Sequence, residues 1–323
     1  MLLPILSHPA PKNPSAGKGM DYANLAEIAH PQKTLRGVVR CAGVGLHSGQ
    51  HIHLTLHPAP IDHGIIFYRT DVAAEKSKIP ALWPNVIDTT LCTVIGNEHG
   101  VTIGTVEHLL AALAGAGIDN ARIEIDGAEV PIMDGSSQPF VFLTECAGAS
   151  EQAAPRRFIK VLREIKITDK DKTAILSPAD HLTITCQIDF ANLAVQRQSY
   201  SFTLRAGAFK TEIARARTFG FMKEVERLRA HGLALGGSMD NAIVIGEDRI
   251  LNQGGLRFTD EFARHKVLDC LGDIALAGYP ILGNITTYKG GHALNNQLLH
   301  ALFADSQNWE LTTLTGEENA LDA

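Results

Sequence analysis

The 323-residue sequence has few cysteines and no closely spaced pair of them. Its five cysteines are odd in number and widely separated, and none belongs to a CxxC motif. This spacing gives no basis for a disulfide framework. A protein of a reducing compartment is the simplest interpretation.

Long apolar runs and a surplus of positive charge are also missing. No run approaches the roughly 20 apolar residues that a membrane-spanning helix needs. The apolar N-terminus is a poor signal peptide, because no basic residue precedes it and a proline interrupts it. The net charge of −6 argues against a nucleic-acid partner. We therefore expect a cytoplasmic protein without stable membrane insertion, which can still act on a membrane-derived substrate.

Length and hydrophobic periodicity predict an α+β protein of two domains. Residues 1–33 show no sustained periodicity, and we expect a flexible extension there. Strand-like alternation followed by helical periodicity occurs twice, which predicts a first domain over 34–150 and a second over 156–310. Small and polar residues over 147–155 are typical of a linker. Residues 311–323 remain as a C-terminal tail.

Alternation and helical spacing also predict individual elements. Strands are expected over 51–57, 64–69, 90–95, 120–126, 158–162, 173–176 and 181–189. Helices are expected over 104–115, 205–216, 222–230, 259–277 and 292–304. Thr105 is the expected N-cap of the first of these helices.

Three ionisable residues, His265, Asp269 and Asp273, lie at intervals of four within the predicted helix 259–277. This spacing places an imidazole and two carboxylates on one helical face, and a His-x-x-x-Asp pair can bind a divalent metal ion. The face lies opposite Val267 and the other apolar residues of the helix, so it points away from the core of that helix. The alternative is an ordinary ion pair on the surface.

Glu107 and His108 offer a partner for this face from the first turn of helix 104–115. The positive end of the helix dipole there favours an ionised carboxylate and a neutral imidazole. His108 is a candidate third metal ligand, and Glu107 is a candidate base for water beside the metal. The alternative is a capping glutamate next to a solvated histidine.

Two other motifs have simpler explanations. His51, His53 and His57 share one face of a predicted strand, but they have no adjacent acid and fit the solvent face of a half-buried strand. The string GVGLHSG at 43–49 lacks the spacing of a dinucleotide loop and leads into a strand, so it predicts a turn.

His292 and an apolar stripe have two open interpretations each. His292 follows two glycines at the start of helix 292–304, where it is a candidate general acid or a capping or surface histidine. The apolar residues between 218 and 233 are suited to line a slot for an acyl chain or to form plain core. They are Phe219, Phe221, Met222, Val225 and Leu228.

Several short strings together carry a resemblance that covers residues 34 to 304. In order, they are GVGLHSG at 43–49, TVEHL at 105–109, PIMDGS at 131–136, ARTFGF at 216–221, HKVLD at 265–269 and GHALNN at 291–296. They resemble the zinc-dependent UDP-3-O-acyl-N-acetylglucosamine deacetylases of bacterial lipid A synthesis. This resemblance implies two domains, each a β-sheet layered with helices, whose helices pack face to face around an active site at the domain interface.

The resemblance also implies a metal-dependent amidohydrolase. It assigns one Zn²⁺ ion, or alternatively Fe²⁺, to His108, His265 and Asp269, with one position left for water. The substrate is UDP-3-O-acyl-N-acetylglucosamine, which is hydrolysed to UDP-3-O-acyl-glucosamine and acetate. We expect the enzyme to be a monomer.

Further roles follow from the same resemblance. Glu107 is the general base, Thr218 and Lys266 stabilise the oxyanion, and His292 protonates the leaving amine with Asp273 orienting its ring. Segment 218–239 is expected to form a passage for the acyl chain, with Leu91 and Cys92 beside the glucosamine and Phe190 against the uracil. The residues expected to contact substrate are Leu91, Cys92, Phe190, Phe219, Val225, Ala234, Gly237, Ser238 and Met239.

Two other functions share these features. Two histidines and a carboxylate also suit a non-haem Fe(II) enzyme, although the adjacent Glu107 favours hydrolysis. A non-catalytic protein that binds a nucleotide sugar or an acyl chain is the second alternative. A structural zinc site normally has four protein ligands, and only three candidates are found in the sequence.

Overall fold

The computed structural model describes residues 30–314, which form an α+β fold. Its strands are β1 (Pro31–Leu35), β2 (Val39–Val44), β3 (His51–Pro58), β4 (Ile65–Arg69), β5 (Lys78–Pro80), β6 (Val86–Asp88), β7 (Val94–Gly96), β8 (Thr102–Ile103), β9 (Ala121–Ile125), β10 (Ala149–Pro155), β11 (Phe158–Val161), β12 (Ile165–Asp169), β13 (Lys172–Pro178), β14 (Leu182–Asp189), β15 (Arg197–Thr203), β16 (Phe219–Phe221), β17 (Ile243–Ile245), β18 (Ile281–Tyr288) and β19 (Trp309–Thr312). Its α-helices are α1 (Glu107–Gly115), α2 (Gln138–Ala147), α3 (Met222–Ala230), α4 (Glu261–Ile274) and α5 (His292–Ala304). None of the helices within 30–314 is long and apolar enough to cross a membrane.

The first half of the chain builds a five-stranded sheet with the order β2-β3-β9-β4-β5. Strand β3 shows why the sheet has one buried face: Ile52, Leu54 and Leu56 point inward and are almost fully buried, whereas His51 and His53 are exposed. Helices α1 and α2 pack against each other and share one core with this sheet. The predicted solvent face of strand 51–57 is therefore confirmed.

The second half builds a seven-stranded mixed sheet around β18. This strand pairs parallel with β11 and β14 and antiparallel with β13. Helix α4 packs on β14, and α5 packs on β12 and β13. The second unit is thus also a sheet layered with helices, as the α+β prediction requires.

The two layered units meet where α1 crosses α4. The helices approach so closely that a Cβ atom on Gly272 of α4 would lie 2.0 Å from the carbonyl oxygen of Glu107. Only glycine permits this contact, because any larger residue would overlap the backbone of α1. The helices therefore pack face to face at the interface between the units.

Strand β10 corrects the expected linker at 147–155. Residues Ala149–Pro155 form a strand that pairs antiparallel with β1. The pairing begins at Pro31, so the expected extension 1–33 is too long at its end, and residues 1–29 lie outside the described part. Asn120 supports this strand pair, because its Nδ2 donates to Oε1 of buried Gln32 on β1 (2.9 Å) and to Oε1 of Gln152 on β10 (2.8 Å).

The expected tail at 311–323 begins too early. Leu311 and Thr312 belong to β19, which pairs antiparallel with β11 at the edge of the second sheet. Residues 315–323 lie outside the described part. The division of the chain into domains at 34–150 and 156–310 stays a prediction.

The predicted elements differ in accuracy. Helices 222–230 and 292–304 are confirmed to the residue. Helix 205–216 is wrong, because only a π-helical turn at Phe209–Ile213 forms there. The strand predicted over 90–95 forms only at its end, where β7 covers Val94–Gly96. The periodicity does not predict the central strand β18.

Candidate active site

Helix α1 begins at Glu107, so Glu107 and His108 occupy its first turn. Thr105 is not the N-cap: its φ of 56° is left-handed, and its hydroxyl donates to the buried carboxylate of Glu129 (3.2 Å). Glu107 and His108 are each only 3% exposed. Burial contradicts the alternative of a capping glutamate next to a solvated histidine.

The stripe on α4 is buried as well. His265, Asp269 and Asp273 are each 2% exposed, because this face lies against α1 rather than solvent. The alternative of a surface ion pair is therefore wrong. This face points away from the apolar side of α4, so it is buried only because α1 covers it.

The α1–α4 crossing brings His108, His265 and Asp269 together. One donor atom of each residue lies within 4.8 Å of the others. Nε2 of His265 is 3.2 Å and Nε2 of His108 is 3.6 Å from Oδ1 of Asp269. Nδ1 of His265 lies 3.1 Å from the carbonyl oxygen of Ala216, and a donated hydrogen bond there leaves Nε2 free as a ligand atom. Two imidazole nitrogens and one carboxylate oxygen fit a zinc or Fe²⁺ ion.

The surroundings favour the protonation states that a metal ligand needs. Burial lowers the pKa of His265 to about 3, so its ring is neutral. Burial alone would raise the pKa of Asp269, but its interactions with the His265 imidazole and the Lys266 ammonium outweigh burial and hold that pKa well below its usual range. Lys266 Nζ donates to Asp269 Oδ2 at 2.8 Å. A neutral imidazole and an ionised carboxylate bind a metal without first losing a proton.

Glu107 lies beside these donors and has the properties of a base. The backbone N–H of Thr93 donates to its Oε2 (3.1 Å), while Oε1 lies 3.9 Å from Nε2 of His292. Burial raises the pKa of Glu107, because a carboxylate away from water is less stable as an anion. Its carboxylate is consequently a stronger base than an exposed one.

His292, at the start of α5, has the properties of an acid. Its Nδ1 lies 2.9 Å from Oδ2 of Asp273. Burial alone would lower the pKa of His292, but the charge of Asp273 and this hydrogen bond raise it to about 10. The ring is therefore protonated at neutral pH, with Nε2 directed towards the side on which Glu107 lies.

These groups line one cleft between the two units. The predicted site residues on its walls are Leu91, Cys92, Glu107, His108, Thr218, Phe219, His265, Lys266, Asp269 and His292. Asp273 lies behind His292, where it contacts the ring but not the cleft. The cleft thus brings a carboxylate of raised pKa, three metal-type donors and a protonated imidazole into one space.

The other predicted substrate contacts lie in or beside the insert 218–239, outside the walls of this cleft. Phe190 packs against Phe219 and Phe221, with ring centroids 6.0 and 5.5 Å apart. Val225 lies on α3, and Ala234, Gly237, Ser238 and Met239 follow that helix. Their contacts with an acyl chain or uracil stay predictions.

The insert is attached to the turn at 43–49. The N–H of Leu235 donates to the carbonyl oxygen of His47 (3.2 Å), and the N–H of Gly236 donates to that of Leu46 (3.1 Å). Leu46 and His47 also line the cleft. The predicted turn therefore joins the cleft to the segment that was expected to hold the acyl chain.

Sequence reasoning missed four residues around the site: His47, Thr93, Glu129 and Asn295. His47 lies inside the string GVGLHSG and Asn295 inside GHALNN, so these two strings carry a signal for both residues. Thr93 and Glu129 matter through contacts with residues distant in the chain, so no local pattern indicated them.

The strand histidines do not form a second metal site. His53 pairs with Asp126 (2.7 Å) and His57 with Glu124 (3.1 Å) on the outer face of the first sheet. Within residues 30–314, the metal-type cluster of His, Cys, Asp or Glu is the one formed by His108, His265 and Asp269.

Comparison with known proteins identifies the family of this chain. A sequence model of the UDP-3-O-acyl N-acetylglycosamine deacetylase family matches residues 32–304. The chain belongs to this deacetylase family. The matched segment includes α1, α4 and α5, so it contains every residue of the cleft.

Curated relatives in the deacetylase family are similar over most of their length. The UDP-3-O-acyl-N-acetylglucosamine deacetylase of Shewanella sp. (strain W3-18-1) is 50% identical over 288 residues, which is 88% of this chain and 94% of the relative. The protein of that name from Shewanella oneidensis is 50% identical over 291 residues, with 90% and 95% covered. The one from Myxococcus xanthus is 51% identical over 283 residues, with 88% and 90% covered.

Proposed function

We propose that this protein hydrolyses the N-acetyl group of UDP-3-O-acyl-N-acetylglucosamine to give UDP-3-O-acyl-glucosamine and acetate, the committed step of lipid A biosynthesis. Family membership and the shared name of the relatives support the substrate. The observation that carries the chemistry is the buried cleft, in which Glu107 and His292 flank His108, His265 and Asp269.

The donor set suits a catalytic metal ion, and we propose Zn²⁺ with Fe²⁺ as the alternative. When bound by these donors, zinc would polarise the acetamide carbonyl and lower the pKa of a bound water to about 7. The three donors leave a coordination position open, whereas a structural zinc site uses four protein ligands. The donor count therefore supports a catalytic role over that of a purely binding protein.

The proposed reaction uses Glu107 and His292 in turn. Glu107 takes a proton from the attacking water at Oε1, because the N–H of Thr93 already occupies Oε2. Attack on the acetamide carbon creates an oxyanion, which the hydroxyl of Thr218 and the ammonium of Lys266 stabilise from the cleft wall. His292 then gives its Nε2 proton to the amine nitrogen as the C–N bond breaks. Asp273 holds Nδ1 throughout this transfer.

The substrate is proposed to lie across both units. Its glucosamine would sit between Leu91 and Cys92 at the cleft wall, and its acyl chain would follow the insert 218–239. Phe190 would stack on the uracil. The attachment of the insert to the turn at 43–49 supports this path, because it makes the insert continuous with the cleft.

Acetate release and metal analysis of the same samples test this function. We expect wild-type protein to carry about one zinc ion per chain and to release acetate from UDP-3-O-acyl-N-acetylglucosamine. His265→Ala should lose metal and activity, and Glu107→Ala should lose activity but keep metal. His53→Ala, an exposed histidine that also pairs with an aspartate, is the matched control and should keep both.

Two results would contradict the proposal. One is acetate release by a variant that combines Glu107→Ala with His265→Ala. The other is oxygen consumption with Fe²⁺ and no acetate, which would favour a non-haem iron enzyme.

We also propose that the enzyme acts as a cytoplasmic monomer. Its five free cysteines are compatible with a reducing compartment. Light scattering coupled to size-exclusion chromatography would measure the mass, and a stable dimer would contradict the monomer.

A further inference from the structure

Thr93 contacts both catalytic groups at once. Its backbone N–H donates to Oε2 of Glu107 (3.1 Å), and its hydroxyl donates to Oδ1 of Asp273 (2.5 Å). The hydroxyl oxygen also lies 3.3 Å from Nδ1 of His292. The residue is 2% exposed, so water does not compete for these contacts.

These contacts cross the interface between the units. Thr93 precedes β7 and Glu107 begins α1, both in the first unit, whereas Asp273 and His292 lie on α4 and α5 of the second. The 3.9 Å separation between Glu107 Oε1 and His292 Nε2 is consequently a distance between two units. A residue that binds both sides fixes such a distance more firmly than the packing of either unit alone.

The hydroxyl of Thr93 also fixes the orientation of the Asp273 carboxylate. A threonine hydroxyl has one proton to donate, and here Asp273 Oδ1 receives it. Oδ2 of the same carboxylate faces His292 Nδ1 and the Nδ2 of Asn295, both at 2.9 Å. Both oxygens are therefore held, and the plane of the carboxylate that orients His292 is fixed.

We propose that Thr93 is a positioning residue that couples the base Glu107 to the acid pair of His292 and Asp273 across the interface. This inference rests on the proposed deacetylase function. It assigns Thr93 no contact with substrate. The backbone N–H orients the carboxylate of Glu107, and the hydroxyl orients Asp273 and through it His292.

Thr93→Val tests the hydroxyl, because valine keeps the shape and the backbone N–H but cannot donate to Asp273. We expect kcat for acetate release to fall on the order of 10- to 100-fold while KM stays within about threefold, since a hydrogen bond to a charged group is lost where the proton is transferred. Thr93→Ser restores the donor and should recover kcat to within a few-fold. Metal content should not change.

Thr144→Val is the matched control. Thr144 is similarly buried, but its hydroxyl donates to the carbonyl oxygen of Val141 within α2. Its kcat should equal that of the wild type. Should Thr93→Val not fold, Thr93→Ala takes its place with the same expected values.

A double-mutant comparison shows whether the hydroxyl acts through Asp273. In an Asp273→Asn background, adding Thr93→Val should lower kcat by less than about twofold, because the orienting carboxylate is already absent. Independent losses that multiply would overturn the inference. So would a Thr93→Val enzyme with wild-type kcat, or a Thr93→Ser enzyme as impaired as the valine variant.

Failure of the inference is distinguishable from failure of the proposed function. If wild-type protein releases no acetate, or Glu107→Ala remains active, the deacetylase proposal itself is wrong. If those tests succeed and Thr93→Val matches Thr144→Val, only the role of Thr93 is wrong.

Discussion

Gly272→Ala is the most direct test of the close contact between α1 and α4. Gly272 lies in the interior of α4 and is buried. An alanine Cβ would lie 2.0 Å from the carbonyl oxygen of Glu107 and 2.7 Å from its carbonyl carbon. Both atoms belong to the backbone, so no side-chain rotation relieves the overlap. Because non-bonded carbon atoms need roughly 3.5 Å or more, α1 would have to shift on the order of 1 Å.

Local and tertiary effects oppose each other at this position. Helix propensity favours alanine over glycine by about 0.8–1.0 kcal/mol. Overpacking a well-packed interior costs about 1–3 kcal/mol, and the rigid backbone partner places this site at the upper end. We therefore expect a net loss of about 1–2 kcal/mol in the free energy of unfolding. A displacement near 1 Å at Glu107, the proposed base, should lower kcat on the order of 100-fold.

Urea denaturation at 25 °C measures the loss of stability, and acetate release measures the loss of kcat. Metal analysis on the same sample shows whether the proposed metal ligands keep their places. Gly254→Ala is the control, because a Cβ there would meet nothing within 4 Å, and its stability and kcat should not fall. A Gly272→Ala protein as stable as the wild type, fully metal-loaded and with unchanged kcat would refute the steric argument.

Three further predictions concern single carboxylates. Glu107→Gln keeps the size of the side chain but removes the proposed base, so kcat should fall about 10²- to 10⁴-fold. Metal content should not change, and acetate release and metal analysis on one sample measure both. Asp273→Asn removes the charge that raises the pKa of His292 to about 10, so His292, the proposed acid, loses its proton at lower pH. The alkaline limb of the kcat/KM profile should move down in pH, and an unmoved limb would exclude His292 as the acid. Glu129→Gln turns an NH₂ group towards one of the N–H donors of His47 and Ser48, and should cost roughly 1–3 kcal/mol of unfolding free energy in urea denaturation. The exposed Glu145→Gln loses only a surface ion pair with Lys210 and should cost less than about 1 kcal/mol. Equal stability of the two variants would contradict the view that the Glu129 carboxylate holds the turn at His47 and Ser48.

The sequence pattern predicted those strands and helices in which buried and exposed residues repeat at the regular spacing of the element. Strands β3 and β14 alternate strictly, because one face of each lies on a core. The stretch 281–288 was missed although it is the centre of the second sheet. It contains Gly283 and Asn284, which are poor strand formers. Its strand conformation depends on neighbours that pair with it from both sides.

The same contrast separates the predicted helices. Helices 222–230 and 292–304 were predicted correctly, since their apolar spacing extends over the whole element. Segment 205–216 has a similar local pattern, yet only Phe209–Ile213 is helical. A Cβ on Gly115 would lie 2.3 Å from the ring of Phe209, so the end of α1 constrains this segment. Tertiary contact here overrides local propensity.

The candidate site divides in a similar way. The four-residue spacing correctly placed His265, Asp269 and Asp273 on one face of a helix, because helical geometry is a local property. Neither their burial nor their approach to His108 follows from spacing, since both arise where α1 crosses α4. The two aspartates of the stripe have different neighbours. Asp269 contacts His265 and His108, whereas Asp273 contacts His292 and Thr93.

The sequence by itself determined the donor residues, the helices that carry them and the family, because each depends on residue type and short-range spacing. Only the tertiary structure decided the distances between donors from different units, the pKa shifts that follow from burial, and the contacts of Thr93 and Glu129. These properties depend on which surfaces meet and on how much water they exclude. The donor residues are far apart in the chain, and they form one site only because α1 packs against α4.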